Sequence, residues 1–200
     1  MTAPTNQLPP VETLASLPKQ ALIIYALRCA RRAEPLYAEK NSDPTRARYV
    51  RACIDSAYNY LVTDRFINTY SSISFNSFAS DYGVKSAEFA AMAAEETYNQ
   101  ITDPDYDAEM AEYDEATPAD RAECAASYSL LATYDTHLPV DEARRCERIA
   151  LHAALSDFEW LTANGHEQGL EAMGPLWHDN VLESFPKRLE MHESLLLEAK

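Results

Sequence analysis

Apolar residues recur every three to four positions in five stretches of the chain, which is the spacing of amphipathic α-helices. The stretches cover about 16–34, 44–61, 86–101, 118–132 and 139–164. The predicted core faces are Leu22, Tyr25, Ala26, Cys29 and Ala33; Ala47, Val50, Ile54, Ala57 and Leu61; Phe89, Met92, Ala93 and Tyr98; Cys124, Tyr128, Leu131 and Ala132; and Ala143, Cys146, Ala150, Ala154, Phe158 and Leu161. Short connections place neighbouring helices antiparallel, so we expect an all-α, single-domain antiparallel helical bundle of five to seven helices.

Prolines and one glycine mark the predicted helix boundaries. A first-turn proline that closely follows a capping Ser, Asp or Thr occurs at Pro18, Pro44, Pro118 and Pro186. Ser16 is the expected N-cap of the first helix, and Pro35 is expected to end it. Gly165 is expected to end the fifth helix in the left-handed conformation.

Three segments fall outside these helices. Residues 1–15 are polar and hold three prolines, which predicts a flexible N-terminal arm ahead of a single helical domain over 16–200. Residues 65–83 are rich in serine and aromatic residues, and helix, strand and loop all fit them; a short helix plus a loop ending at Gly83 fits best. In the connection after Gly165, Trp177 either anchors the loop on the core or overhangs a groove.

Composition agrees with helices and indicates where the protein acts. Glycine contributes only 4 of 200 residues, whereas tight turns between strands use glycine often. The longest apolar run, 21–27, is too short to span a membrane, and the N-terminus lacks the features of a secretory signal. We therefore expect a cytoplasmic protein with no membrane partner, whose four cysteines are reduced (Cys29, Cys53, Cys124 and Cys146).

Charge is distributed unevenly along the chain. Residues 1–100 hold ten basic and ten acidic side chains, so the net charge of −15 belongs to residues 101–200. Negative charge repels phosphate backbones, which argues against nucleic-acid binding. No Lys or Arg lies between Lys85 and Arg121, although eleven carboxylates do. This stretch is either a solvated face or a docking surface for a basic protein; the docking residues would be Asp103, Asp105, Tyr106, Asp107, Glu109, Glu112, Tyr113, Asp114 and, separately, Trp177.

Chemical motifs are scarce. Residues 103–114 resemble an EF-hand loop, but Ala108 stands where the loop requires glycine, so a solvated acidic loop fits better than a calcium site. We find no metal-ligand spacing, nucleophile elbow or phosphate-binding loop, and hence predict no catalytic residues, no metal and no cofactor. We expect His152 to be a core or boundary residue. Two basic clusters should pair with carboxylates of neighbouring helices, or else line an anion-binding groove: Arg28, Arg31 and Arg32 on the first predicted helix, and Arg144, Arg145 and Arg148 on the fifth.

One stretch carries a family resemblance. Residues 26–61 contain Cys29-Ala30-Arg31, Pro35-Leu36-Tyr37, Asp43-Pro44 with Arg46, and an alanine-spaced helix through Ala52 and Ala57. This pattern resembles the opening of bacterial all-helical immunity proteins of polymorphic toxin systems. Residues 154–165, followed by Gly174-Pro175-Leu176-Trp177, are similar to a C-terminal segment of other bacterial helical proteins. The first resemblance implies a cytoplasmic protein that neutralises a toxin by binding it.

Two functions therefore compete. The first is an acidic protein–protein interaction module, an immunity or antitoxin-type inhibitor that binds a basic toxin or effector. The alternative is a small-molecule-binding protein or an enzyme with a pocket between helices, lined by the arginines and Trp160.

Overall fold

The protein is a bundle of α-helices in the computed structural model, which describes residues 7–40, 44–63, 82–103, 116–133, 140–174 and 176. The helices are α1 (Val11–Leu14), α2 (Lys19–Lys40), α3 (Pro44–Thr63), α4 (Tyr82–Thr102), α5 (Pro118–Thr133), α6 (Val140–Asn164) and α7 (Gly169–Ala172). The described residues contain no β-strand. The all-α bundle expected from the apolar spacing is confirmed.

Helices α2 and α4 form the centre of the bundle. Every side chain from Ala21 to Ala30 is buried, so α2 presents almost no surface to water over this stretch. Helix α4 packs mainly on α5 and α2. The contact between α4 and α5 is rich in alanine, whose small side chain lets two helix axes approach closely. The buried alanines of these two helices are Ala87, Ala90, Ala91, Ala93, Ala94, Ala119, Ala122, Ala125, Ala126 and Ala132.

The core faces predicted for α4 and α5 need correction because of this alanine packing. Phe89 and Met92 of α4, like Tyr128 of α5, are only partly buried. Apolar periodicity assigned these large side chains to the core, whereas the close contact between helices admits mainly small ones. The faces predicted for α3 and α6 are correct, since Val50, Ile54 and Ala57 are buried on α3 and Ala150, Ala154 and Leu161 are buried on α6.

The helix boundaries agree with most of the proline and glycine signals. Pro44 and Pro118 begin α3 and α5. Gly165 has a φ of +69° and its N–H donates to Leu161 O at 2.8 Å, which ends α6 as expected. Pro35 does not end α2, which continues to Lys40. A proline removes one backbone hydrogen bond, and the packing of a central helix can offset that loss.

Two further expectations about the N-terminal region are wrong. Ser16 does not cap α2, because the helix begins only at Lys19 and the first intrahelical bond runs from Leu22 N–H to Pro18 O; the Ser16 hydroxyl donates instead to Thr13 O at 2.7 Å. Residues 11–15 are not a flexible arm, because α1 forms there and Leu14 is fully buried. Burial of this one leucine ties the segment to the bundle. The expectations for residues 1–6, for most of 65–83, for Trp177 and for the last helix near Pro186 lie outside the described residues.

Candidate functional site

Asp103 is the only predicted partner-binding residue in the described part of the chain. It is partly buried directly after α4, and its backbone N–H donates to Asn99 O at 2.9 Å. The remaining predicted residues lie outside the described residues: Asp105, Tyr106, Asp107, Glu109, Glu112, Tyr113, Asp114 and Trp177. The structure therefore fixes only the point at which the acidic segment begins.

The two described ends of that segment lie next to each other. The side-chain amide of Gln100, in the last turn of α4, donates to Ala116 O at 2.8 Å. Helix α5 then begins with a reciprocal cap: the Thr117 N–H donates to Asp120 Oδ2 at 2.7 Å, and the Asp120 N–H donates to Thr117 Oγ1 at 3.3 Å. The hydrogen bonds from Thr117 hold the pKa of Asp120 below its usual range.

Part of the acidic stretch lies inside the protein. Glu88 and Glu95 of α4 are 1% and 8% exposed. Glu95 Oε2 accepts hydrogen bonds from the Cys53 thiol at 3.0 Å and the Tyr49 hydroxyl at 3.4 Å. A solvated face and a docking surface both require exposed carboxylates, so neither interpretation holds for these two residues. The sequence did hold an indication that these two glutamates are buried, because both lie among the alanines that α4 buries.

A buried ionic cluster joins α2 to α6. Asp157 Oδ1 accepts a hydrogen bond from Arg28 Nε at 2.9 Å, and Asp157 Oδ2 accepts one from Arg32 Nη2. All three side chains are at most 6% exposed. Arg28 Nη1 also donates to Gly174 O at 3.2 Å, and Arg32 Nε to Leu176 O at 2.9 Å. For Arg28 and Arg32 the expected pairing with carboxylates is confirmed, and the cluster also binds the chain after α7.

Two side chains next to this cluster resist ionisation. Burial raises the pKa of the Cys29 thiol to about 12, although Arg32 at 3.9 Å partly opposes the shift. Burial also raises the pKa of Tyr25 well above its usual value. The Tyr25 hydroxyl has no hydrogen-bond partner among the described residues. A buried thiol of such high pKa is a poor nucleophile, so Cys29 acts as a small apolar residue.

A cleft of about 530 Å³, the α5–α6 cleft, runs between these two helices near the N-terminal residues Gln7 and Leu8. Glu123 and Glu147 lie on opposite walls, with Arg148 beside Glu147 and with Leu130 and Leu151 as apolar lining. Glu123 Oε1 accepts a hydrogen bond from Ser127 Oγ at 2.6 Å. Glu147 makes no ion pair with any described residue. The cleft thus combines carboxylates with apolar surface.

A second cleft of about 450 Å³, the α2–α3 cleft, lies between these helices and the chain that follows α6. Its apolar and aromatic lining includes Ile24, Tyr58, Tyr60, Leu61 and Leu170. Gln20, His166 and Gln168 add polar groups. None of the described lining residues is Asp, Glu, Lys or Arg.

The sequence predicted a pocket lined by the arginines and Trp160, and of these residues only Arg148 lines either cleft, the α5–α6 cleft. Arg28 and Arg32 lie in the buried ionic cluster, and Trp160 packs, partly buried, against the core. Periodicity could not reveal the clefts, because each combines two successive helices with a segment that is distant in sequence: residues 166–170 in the α2–α3 cleft, and Gln7 and Leu8 in the α5–α6 cleft. The sequence held one weak indication of the α2–α3 cleft: Tyr58 and Val62 are large apolar residues that lie outside the predicted core face of α3.

The described residues contain no group of three or more His, Cys, Asp or Glu side chains that could hold a metal ion. The cysteines are all free thiols, and Cys29, Cys53 and Cys146 are buried. His152 is exposed on α6, so the expectation of a core or boundary histidine is wrong. Across the described part of the chain, no helix is both long enough and apolar enough to cross a membrane.

Comparison with known proteins gives no relative: no family model, no curated protein and no solved structure matches this sequence.

Proposed function

We propose that the protein is an acidic helical interaction module that binds a basic protein, as an immunity or antitoxin-type inhibitor of a basic toxin or effector. One observation carries the proposal: a carboxylate-rich segment connects α4 to α5, and its two ends are held together by the Gln100–Ala116 hydrogen bond at 2.8 Å. Twelve residues that leave and return at one point reach at most about 20 Å from it. The negative charge of the segment therefore acts at one end of the α4–α5 pair.

Charge of this kind favours rapid association with a basic surface. Six carboxylates and no basic residue occur between positions 104 and 115. Such a concentration steers a positively charged partner and raises its association rate. Toxins that cut nucleic acid are basic where they hold phosphate, so an acidic segment would cover that surface and block access to the substrate.

The α5–α6 cleft offers a second contact for the same partner. Glu123 and Glu147 supply negative charge, and Leu130 and Leu151 supply apolar surface. A lysine or arginine side chain matches both features, since its aliphatic stem packs on apolar groups while its charged end meets carboxylates.

The test is affinity capture from cells in which the protein occurs naturally, with captured proteins identified by mass spectrometry and each captured protein then purified. We compare the wild type with Asp105→Lys combined with Glu112→Lys. The matched control reverses two exposed carboxylates on and after α6, Glu159→Lys with Glu167→Lys, and changes the net charge equally.

The expected result is a basic protein that the wild type and the control bind and the 105/112 variant does not. Its affinity for the wild type should fall by at least about tenfold between 50 and 300 mM salt, because salt screens the attraction over about 8 Å. The activity of the purified partner should also be inhibited. An affinity that changes neither with salt nor with the charge reversal at positions 105 and 112 would overturn the proposal.

A second function, small-molecule binding between helices, is favoured by the α2–α3 cleft. Its volume of about 450 Å³ falls within the range of ligand pockets, and its lining mixes aromatic, apolar and a few polar groups.

A further inference from the structure

We propose that the α2–α3 cleft binds a small planar aromatic carboxylate, with the aromatic ring against Tyr58 and the carboxylate at the guanidinium of Arg31. The inference rests on the second function, small-molecule binding in this cleft, and adds the chemical class of the ligand.

Exposure of apolar surface singles out this cleft. Among the described residues, three large hydrophobic side chains are exposed, and two of them, Tyr58 and Val62, line it. They are 38% and 63% exposed. Exposed apolar surface that borders a concave site is typical of ligand binding, because a ligand removes that surface from water. The third such residue, Val140, lies at the start of α6 and outside the cleft lining.

The aromatic lining favours a flat ring. Tyr60 is already held against Tyr98, with ring centroids 5.4 Å apart, so its position is fixed by the core. Tyr58 packs against no aromatic ring of the described helices, and its one ring contact there is with the guanidinium of Arg31. A planar ligand can pack between the Tyr58 ring and the apolar wall formed by Ile24 and Leu61.

Charge selects the ligand further. The protein has a net charge of −15, yet no carboxylate is found among the described residues that line this cleft. An anionic ligand therefore meets no direct repulsion from the lining, and a cationic ligand finds no acidic partner there. The described lining of the α5–α6 cleft holds Glu123 and Glu147 against one cation, Arg148, so its net charge is negative and favours a cationic ligand.

Arg31 lies outside the lining of the cleft but next to Tyr58, and it supplies the positive charge there. It lies seven residues after Ile24, and hence on the same face of α2 about 10 Å further along. Its guanidinium carbon lies 5.5 Å from the centroid of the Tyr58 ring. Arg31 forms no ion pair with a described residue, although its charge partly opposes the raised pKa of nearby Glu34, whose carboxylate is paired with Arg51 at 2.6 Å. A ligand carboxylate can therefore bind Arg31 without displacing a protein carboxylate.

The test is isothermal titration of the purified protein with three probes of one shape and different charge: 2-naphthoate, 2-naphthamide and 2-naphthylmethylammonium. We expect one site per chain, with the acid bound about threefold to tenfold more tightly than the amide, the range for a partly exposed charged contact. The amine should bind more weakly than either.

Substitutions at the partly buried Arg31 and the exposed Tyr58 test the geometry. Arg31→Gln should make the acid and the amide bind equally, and Tyr58→Ala should weaken both about fivefold to tenfold through lost ring contact. Tyr58→Phe keeps the ring and should bind like the wild type. Arg144→Gln and Val140→Ala, at exposed positions of α6 away from the cleft, are the matched controls and should change nothing.

The outcomes separate the ligand class from the binding function. Equal affinity for acid and amide in the wild type would overturn the carboxylate, while small-molecule binding would stand. No heat with any probe up to about 10 mM would overturn both. Acid binding that survives Tyr58→Ala unchanged would place the ligand elsewhere and would also overturn the inference.

Discussion

Asp157 is the residue on which the buried charges of the bundle depend. Its two carboxylate oxygens accept hydrogen bonds from Arg28 and Arg32, and water reaches almost none of the three side chains. Two guanidinium groups thus share one carboxylate away from solvent. Removing one partner of a buried ion pair is costly, because the remaining charge keeps its desolvation penalty and loses its compensation.

We predict that Asp157→Asn lowers the free energy of unfolding by about 3–5 kcal/mol, a large part of the 5–15 kcal/mol typical of a domain. Urea unfolding followed by circular dichroism measures this change. Glu159→Gln is the control: Glu159 is exposed two residues further along α6, and its loss should cost less than about 0.5 kcal/mol. A loss below about 1 kcal/mol for Asp157→Asn would show that the cluster is not a stabilising contact.

At the scale of single residues, the sequence predicted types of contact better than partners. Pairing of Arg28 and Arg32 with carboxylates was foreseen, but Asp157 was not named. Its position on α6, three residues after Ala154 and four before Leu161, places a carboxylate on a buried apolar stripe. A charge on such a stripe requires a buried partner. The helix that supplies the partner depends on tertiary packing, which periodicity does not encode.

The beginning of α5 shows how a short motif fixes an element. Thr117 and Asp120 exchange hydrogen bonds that satisfy two backbone N–H groups in the first turn. Because α5 packs on α4 and α2, this cap also fixes the end of the acidic connection at Ala116. A cap that is weakened at Thr117 should therefore loosen both the helix and the segment that precedes it.

We predict that Thr117→Ala costs about 1 kcal/mol of unfolding free energy at pH 7. Hydrogen bonds that Thr117 donates to the Asp120 carboxylate lower the pKa of Asp120 in the folded state, so this stabilisation is present above the unfolded pKa and is lost as the pH falls through the folded one. The difference between wild type and Thr117→Ala should therefore shrink below pH 4, the usual range of an aspartate. Thr162→Ala, at an exposed position in the last turns of α6, is the control.

At the scale of helices, boundaries were predictable where one residue determines them. Pro44, Pro118 and Gly165 each act through their own backbone conformation, so local sequence was sufficient. The predictions that Pro35 ends α2 and that Ser16 caps it were wrong, because the effect of these two residues depends on the surrounding packing. The alanine-lined contact between α4 and α5 was missed for a related reason: hydrophobic periodicity favours large side chains, although small ones allow helices to approach.

Considered as a whole, the protein separates two kinds of surface. Acidic charge lies at the α4–α5 connection and in the α5–α6 cleft, while the α2–α3 cleft is aromatic and without carboxylates among its described lining residues. The charge asymmetry was visible in the sequence, because it needs only counting. The clefts were not, since each is completed by a segment far along the chain from the two successive helices that form it. A basic protein and an anionic small molecule could thus bind without competing for the same groups.

The same excess of carboxylates should make stability depend on pH. Burial raises the pKa of Glu34 and of Glu96 in the folded protein, and their partners Arg51 and Arg121 only partly oppose the shift. A carboxyl with a raised folded pKa contributes stability that is full below the unfolded pKa of about 4.5 and is lost as the pH rises through the folded value. Repulsion within a chain of net charge −15 also grows with pH.

We therefore predict a higher melting temperature at pH 5 than at pH 7.5. The difference should be about 2–4 °C for each kcal/mol of unfolding free energy that is lost between the two pH values. Glu34→Gln combined with Glu96→Gln should reduce this dependence, because neither position can then take up a proton. Glu159→Gln with Glu167→Gln removes the same charge at exposed sites and should leave most of the dependence in place. Equal pH slopes in the two double variants would mean that general repulsion, and not the raised pKa of Glu34 and Glu96, links the stability of this protein to pH.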